Sequence, residues 1–588
     1  MQKLLTRWGR ELNKDCPLND YPRPQMARDS FFCLNGQWDY AITKKNVSFG
    51  GYQGKITVPF SPEALLSGVE RTVGPDDVLY YRRTFAFVKP GGRALLHFGA
   101  VDYECEVFLN GVSLGSHRGG YYPFYFDITN ALIDGENELA LSVTDPSETG
   151  SQASGKQTSK RGGIWYTPQS GIWQTVWIEE VPESYIERIK ITPDIDNGLV
   201  KISVFEQGEK NEAKIAVLDN GKVVAEGETS NLEAAISLPE FKLWSPEDPY
   251  LYDLVIKAGE DEVKSYFGMR KFGIGKDEKG FTRLTLNNKP YFMNGLLDQG
   301  YWSDGMYTAP SDDALIYDIA TMKKMGFNML RKHIKIEPLR WYYHCDRLGM
   351  LVWQDMINGG NGINPLTAGV LPAFHLATNT RRTGNIDDGE KNYKLFCRQD
   401  KKGRDEYYVD AKRMIDGLYN CVSLCLWVPF NEGWGQFDSL KAAEFFREND
   451  PTRIIDHASG WHDRGGGDVN SFHIYFTPFF FPKRNKNDER AIALTEFGGY
   501  SMKTEGHVFN TEKMFGYRKY KTRAEFEKAI EKLYARLLPL IDRKGLSALV
   551  YTEVSDVEDE TNGLLTYDRE VIKIDVDLMK RINAKMKF

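Results

Sequence analysis

No apolar run in this chain reaches the ~18 residues that a membrane-crossing helix needs. The opening Met1-Gln-Lys-Leu-Leu-Thr-Arg-Trp-Gly-Arg has no apolar core of the kind a secretory leader carries. These absences make a cytoplasmic location, without membrane association, the expectation. Cysteine is sparse: Cys16, Cys33, Cys105, Cys345, Cys397, Cys421 and Cys425 are odd in number and scattered, mostly within apolar runs. That distribution argues against a disulfide framework or a metal knuckle and for buried free thiols. Positive charge is not in excess. A net charge of -7 leaves no electrostatic footprint for nucleic acid. No low-complexity tract and no His-Glu-x-x-His helix occur, so a zinc protease finds no support. No ligand cluster is specific enough to predict a metal, and no cofactor is expected.

What is present begins with length. At 588 residues the chain is too long for one core and predicts about three to four domains. The aromatic share is 13%, with 12 Trp and 31 Tyr, a supply that suits stacking on sugar faces as well as core building.

Residues 1–182 read as all-β. Alternating segments at 94–98, 104–109, 138–143 and 174–179 are punctuated by Asn-Gly, Gly-Gly and Asp-Gly pairs, and Asn110-Gly111 predicts a hairpin. A jelly-roll sandwich is expected. Residues 183–272 carry short strands spaced like an immunoglobulin-like β-sandwich, without cysteine. From residue 273 the period changes. A helix is predicted over 311–325, opened by Ser311-Asp312-Asp313 and stopped by Gly326. Short apolar strands at 291–293, 328–330, 351–353, 422–427, 453–456, 469–473, 491–494 and 548–551 alternate with helices, and eight such strands suit a (β/α)8 TIM barrel over 273–588. A Gly-, Asn- and Thr-rich insertion at 357–404 is expected to shape the rim of the barrel mouth.

Two carboxylates stand where strands of this barrel run out. Glu432 ends Trp427-Val428-Pro429-Phe430-Asn431-Glu432 after the fourth, and Glu496 sits in Leu494-Thr495-Glu496-Phe497-Gly498 after the seventh. Carboxylates at the C-terminal ends of barrel strands lie where barrel chemistry takes place. Two of them across one substrate are what cleavage of a glycosidic bond requires.

Longer stretches fit the same picture. Leu34-Asn35-Gly36-Gln37-Trp38, Val101-Asp102-Tyr103 and Gly171-Ile172-Trp173-Gln174-Thr175-Val176-Trp177 occur in the first block, and Leu243-Trp244-Ser245-Pro246-Glu247-Asp248-Pro249-Tyr250 in the second. With residues 327–333 and Cys345-Asp346-Arg347-Leu348-Gly349 in the barrel, the chain resembles glycoside hydrolase family 2, the β-galactosidases, β-glucuronidases and β-mannosidases. The resemblance implies a carbohydrate substrate, hydrolysis with retention, Asn431-Glu432 as the acid/base pair and Glu496 as nucleophile. It also allows a homo-oligomer.

Around that pair, Asn431 is suited to the sugar 2-hydroxyl. His333 and Asp355, after the second and third strands, could bind hydroxyls or serve structure. His473 and Tyr475 end the sixth strand, and the tyrosine could hydrogen-bond the nucleophile. Trp434, Trp461 and Trp302 are candidate platforms or core residues. Glu553 and Asp556 follow the eighth strand, in an acidic run that could equally be solvated. Glucuronidases of the family carry Asn-x-Lys near the barrel end. Here Asn562-Gly563-Leu564 lacks the lysine, which disfavours a glucuronide and leaves a β-galactoside as the leading expectation. Other β-glycosides, such as a β-mannoside or β-arabinoside, and a non-catalytic carbohydrate-binding barrel are the alternatives.

Overall fold

The computed structural model of the chain describes residues 2–372, 386–476, 478–479, 481 and 488–588. Residues 32–181 supply two antiparallel sheets, of four and six strands. Trp38, Leu79, Leu96, Val107, Leu141 and Ile178 meet in their common core. The alternation read from the sequence becomes burial: from Asn137 onward, Gly135–Thr144 alternates buried and partly exposed residues. Asn110-Gly111 turns the chain between Glu104–Leu109 and Val112–Arg118 with φ of 52° and 78°, the positive pair a type I′ hairpin needs. The run Gly111-Val112-Ser113-Leu114-Gly115 has the spacing of a serine-hydrolase elbow. It lies in this hairpin and not at a strand-to-helix turn, so it carries no such chemistry.

Residues 185–267 form a second sandwich, of three- and four-stranded antiparallel sheets packed through Ile186, Ile202, Val217 and Leu254. The remainder is a parallel barrel. Its strands are β1 (Met293–Asp298), β2 (Met329–Lys332), β3 (Leu351–Asp355), β4 (Leu424–Val428), β5 (Ile454–Ile455), β6 (Val469–Ile474), β7 (Ala491–Gly498) and β8 (Leu546–Thr552). The sheet runs β5-β4-β3-β2-β1-β8-β7-β6, and among the described residues no ladder joins β5 to β6.

Both faces of these strands are covered, which is why they read as continuous apolar runs. Met329, Leu351, Trp353, Leu426, Ala493 and Val550 pack inside with Trp244 and Phe272 below them. Their neighbours Leu330, Val352, Trp427, Leu494 and Leu549 pack outward, against helix residues such as Leu315 and Ile319. Trimming Leu426 to alanine would cost about 2–5 kcal/mol at such a site. The helix Asp312–Lys324 is capped by Ser311, whose hydroxyl accepts from the Ala314 amide, and stops before Gly326 at φ 87°.

One expectation is corrected and two open alternatives are decided. The first barrel strand starts at Met293 rather than at 291, because Lys289–Pro290 pair with Thr285 and Leu286 in a hairpin first. The acidic run is not solvated: Asp556, Glu558, Asp559 and Glu560 are each at most 5% exposed. Trp302 is a core residue, packed edge-on against Trp8 and under the Arg569 guanidinium. Of the insertion 357–404, residues 373–385 lie outside the described residues.

Candidate active site

Strand β4 hands the chain through Pro429 and Phe430 to Asn431 and Glu432. Phe430 stacks on Tyr407 with ring centres 5.0 Å apart, and the Tyr407 hydroxyl donates to the Pro429 carbonyl. The Glu432 amide donates to the Ser459 carbonyl at 3.0 Å and the Ser459 amide to Phe430 at 2.8 Å, which ties the turn to the loop after β5. Glu432 is held at φ 51°, a left-handed conformation that costs a glutamate about 1–3 kcal/mol. Held this way, its carboxylate enters the barrel mouth.

Glu496, on β7, faces it. One oxygen of each carboxylate and a His473 ring nitrogen lie within 4.8 Å of one another. His473 Nδ1 stands 2.7 Å from Glu432 Oε1 and 3.4 Å from Glu496 Oε2. The Tyr475 hydroxyl donates to Glu496 Oε2 at 2.7 Å, and its ring stacks on Tyr517 with centres 3.7 Å apart.

Arg331, on β2, joins these strands from beneath. It pairs with both oxygens of Asp355 at 2.9 and 3.1 Å, donates to Asn431 Oδ1 at 2.8 Å, and reaches Glu496 Oε1 at 3.4 Å. Its side chain is fully buried. Asp355 spends its second oxygen on His333 Nδ1 as well, at 2.6 Å. Asp355 and His333 therefore brace Arg331 and one another, and Asp355 is itself 0% exposed. The Asn431 side-chain amide nitrogen is buried with no partner. Such a donor awaits an acceptor.

Burial sets the electrostatics. It pushes Glu432 up from 4.5 to about 8, against the opposing fields of Lys156 and Arg331. Glu496 is raised as well, by burial and then by Glu432, while His473, Arg331 and the Tyr475 hydroxyl pull it down. Desolvation carries the lift of Glu432, and the repulsion between the two carboxylates falls on Glu496. Burial also drops His473 to about 4 and His333 well below its ordinary value, so both imidazoles are neutral near pH 7.

Trp434, Trp461, Glu432, His473 and Tyr475 line a cavity of about 960 Å³. Its far wall is Trp165, which packs on Trp434 at 5.1 Å between ring centres. The Trp461 indole nitrogen is buried and unpartnered. Glu553 gives Oε2 to Gln299, whereas Asp556 is absorbed by Lys573 and the Gly563 amide. Among the described residues, Glu432, His473 and Glu496 form the group that could close on a metal ion, and an ion there would occupy both carboxylates.

Arg331, Trp165, Tyr517 and Lys156 were missed from the sequence. A charged residue inside the apolar run of β2 is a readable signal for Arg331. Trp165 and Lys156 come from the first sandwich, and no local pattern announces that a segment so distant in the chain closes over the barrel.

The curated relatives are longer. A Formosa agariphila protein, provisionally named a β-glucuronidase, is 27% identical over 491 residues, covering 78% of this chain and 40% of that protein. A Halalkalibacterium halodurans β-galactosidase is 24% identical over 392 residues, covering 63% of this chain and 35% of its own length. The chain thus spans about 30–40% of the length of the curated relatives it matches. Among solved structures, the Dictyoglomus thermophilum β-D-glucuronidase superposes with a TM-score of 0.74 at 19% identity, over 96% of this chain and 98% of that one. A β-galacturonidase from Eisenbergiella tayi gives 0.69 at 18% identity, over 95% and 97%. These two likenesses speak to the fold. Three family models align in chain order: a glycosyl hydrolase 2 galactose-binding domain-like model at residues 54–173, a glycosyl hydrolases family 2 model at 184–270, and that family's TIM barrel domain at 279–571. With the two sandwiches, the barrel and its paired glutamates already in view, these matches establish that the chain belongs to glycosyl hydrolase family 2.

Proposed function

We propose that the protein is a retaining exo-β-glycosidase that releases terminal β-linked sugars by double displacement. One observation carries this reading: one oxygen of the Glu432 carboxylate and one of the Glu496 carboxylate lie within 4.8 Å of each other, bridged by His473 Nδ1. Inverting enzymes need room for a water between their carboxyls and hold them about 6.5–9.5 Å apart, whereas retaining ones keep about 5–5.5 Å. A gap this narrow favours direct attack.

The roles follow from the partners. Glu496 has Arg331 and the Tyr475 hydroxyl beside it, both of which favour its anion, so it is the nucleophile that attacks the anomeric carbon. Glu432 sits at about 8 and holds the proton near neutral pH. It delivers that proton to the departing oxygen, then takes one from water as the glycosyl-enzyme ester is hydrolysed. Asn431, fixed through Oδ1 by Arg331, directs its free amide donor at the sugar 2-hydroxyl, a bond that strengthens as positive charge builds at the anomeric centre. Trp434, Trp461 and Trp165 receive the leaving group. Asp355, His333 and His473 hold the charged groups in register.

The names of relatives include β-galactosidase, β-glucuronidase and β-galacturonidase, and these sugars, with the β-galactoside expected from the sequence first and the β-mannoside and β-arabinoside after them, make up the assay panel. Proton NMR of the first product from an aryl β-glycoside tests the mechanism. A β-anomer is expected. An initial α-anomer would refute double displacement.

A further inference from the structure

Four lysines are buried among the described residues: Lys156, Lys332, Lys335 and Lys573. Three have a carboxylate at 2.7–2.8 Å: Lys332 with Asp298 and Glu337, Lys335 with Glu337, Lys573 with Asp556. That is the arrangement buried charge requires. Lys156 has no carboxylate within ion-pair distance and no hydrogen bond to its ammonium among the described residues, though it is only 5% exposed.

Its position is built. Lys156 lies between the strands Gly135–Thr144 and Gly171–Ile172 of the first sandwich. The Ser154 and Gly155 amides both donate to the Asn358 carbonyl just beyond β3, and the Tyr166 amide donates to the Lys156 carbonyl at 3.0 Å. Gly155, at φ +64°, admits no side chain: a Cβ there would stand 3.0 Å from the Tyr121 hydroxyl and 3.2 Å from the Ile334 carbonyl. The lysine's own neighbours Gly155 and Gln157 line the active-site cavity. Its ammonium stands 5.4 Å from the Tyr166 ring centre and 5.8 Å from that of Trp434. Two aromatic faces offset part of the desolvation of a cation but leave its hydrogen-bonding capacity unused. The charge is felt by Glu432, His333 and Glu553, the groups beyond β4, β2 and β8. Glu553 does not compensate it. Its Oε2 goes to Gln299, its Oε1 has no partner, and burial together with Glu560 favours its neutral form. Leu564, in the segment Asn562-Gly563-Leu564, is 1% exposed and apolar.

We propose that Lys156 is a specificity-determining residue that receives an anionic substituent on the sugar, a carboxylate or a sulfate ester, delivered to the barrel mouth from the first sandwich. This rests on the glycosidase reading above and replaces the neutral β-galactoside expected from the sequence with an acidic sugar. The missing Asn-x-Lys lysine then does not exclude a uronide, because the cation arrives from a different domain.

The test compares 4-nitrophenyl β-galactoside with the β-galacturonide and the 6-sulfo-β-galactoside, and the β-glucoside with the β-glucuronide, for wild type, Lys156→Met and Lys156→Arg. The readout is the ratio of kcat/KM for each anionic substrate to that for its neutral counterpart. The wild type is expected to favour at least one anionic member. Lys156→Met is expected to lower that ratio about 10–100-fold, the worth of a charged hydrogen bond, and Lys156→Arg to retain most of it. The uronide and sulfate arms separate the two anions. A wild-type preference for neutral sugars, or a ratio that Lys156→Met leaves unchanged, overturns the proposal. Calorimetry with free galacturonate, glucuronate, galactose and glucose gives a readout independent of turnover. Lys156-dependent binding of an acid without any hydrolysis would sink the glycosidase reading and sustain this one. No binding of either acid and no kcat/KM preference for the sulfate ester, in an enzyme that turns over the neutral glycosides, would do the reverse.

Discussion

Replacing Glu432 with glutamine should slow the enzyme and, above neutral pH, make it more stable. The buried carboxyl rises from 4.5 to about 8, which at ~1.4 kcal/mol per pH unit amounts to about 5 kcal/mol when the group is forced to ionise in the folded state. A group raised in this way binds its proton more tightly when folded. Its stabilising contribution is complete below 4.5 and is lost progressively as pH climbs to about 8. Glutamine keeps the shape and does not titrate. Wild type and Glu432→Gln should therefore unfold at similar temperatures near pH 5, diverge progressively as pH rises towards 8 and stay apart above it, with the variant ahead by about 5–10 °C near pH 9. The assay is thermal unfolding across pH at matched scan rate, because a chain of several domains unfolds irreversibly. Activity should move the other way, with kcat/KM falling about 10²–10⁴-fold for poor leaving groups, the usual worth of a general acid. Superimposable stability curves for the two proteins from pH 5 to 9 would refute the reasoning, since they would mean that Glu432 is not held protonated by burial.

Further outcomes follow from the same geometry. Tyr475→Phe removes a 2.7 Å donor that favours the Glu496 anion, so the acidic limb of the pH–kcat/KM profile should move to higher pH; an unmoved limb would count against Glu496 as the ionised partner. Asn431→Ala should lower kcat about 10²–10³-fold with little change in KM, because its contact strengthens only in the transition state, and the loss should shrink on a 2-deoxy substrate. Arg331→Met leaves Asp355 buried without its bidentate partner and should cost about 3–5 kcal/mol by denaturant unfolding; a smaller effect from Arg331→Lys would contradict the need for the planar fork.

Much of this was legible in the sequence for physical reasons. The strand ends that carry Glu432 and Glu496 could be found because strands buried on both faces print as unbroken apolar runs, and Ser311 and Gly326 mark a helix through capping that acts within one turn. Strand starts were less legible: Met293 begins β1 late because Pro290 belongs to the preceding hairpin. The environment of the site was hidden. Asp355 at the end of an apolar strand suggested a hydroxyl ligand, but its oxygens go to Arg331 and His333, partners fixed by barrel closure. The acidic run at 556–560 looked solvated because its partners, Lys573, Arg161, Tyr166 and Thr167, lie before or after it in the chain. Lys156 and Trp165 are beyond any local pattern, since the packing of the first sandwich over the barrel brings them to the mouth.

The central claim is that Glu496 forms the covalent intermediate and Glu432 serves it as acid and base. The most direct measurement is mass spectrometry of peptides after treatment with a 2-deoxy-2-fluoro β-glycoside of the preferred sugar bearing a dinitrophenyl leaving group. A single glycosyl adduct on Glu496, absent in Glu496→Gln, is the predicted result. An adduct on any other residue, or continued turnover with no adduct and an α-configured product, would contradict it.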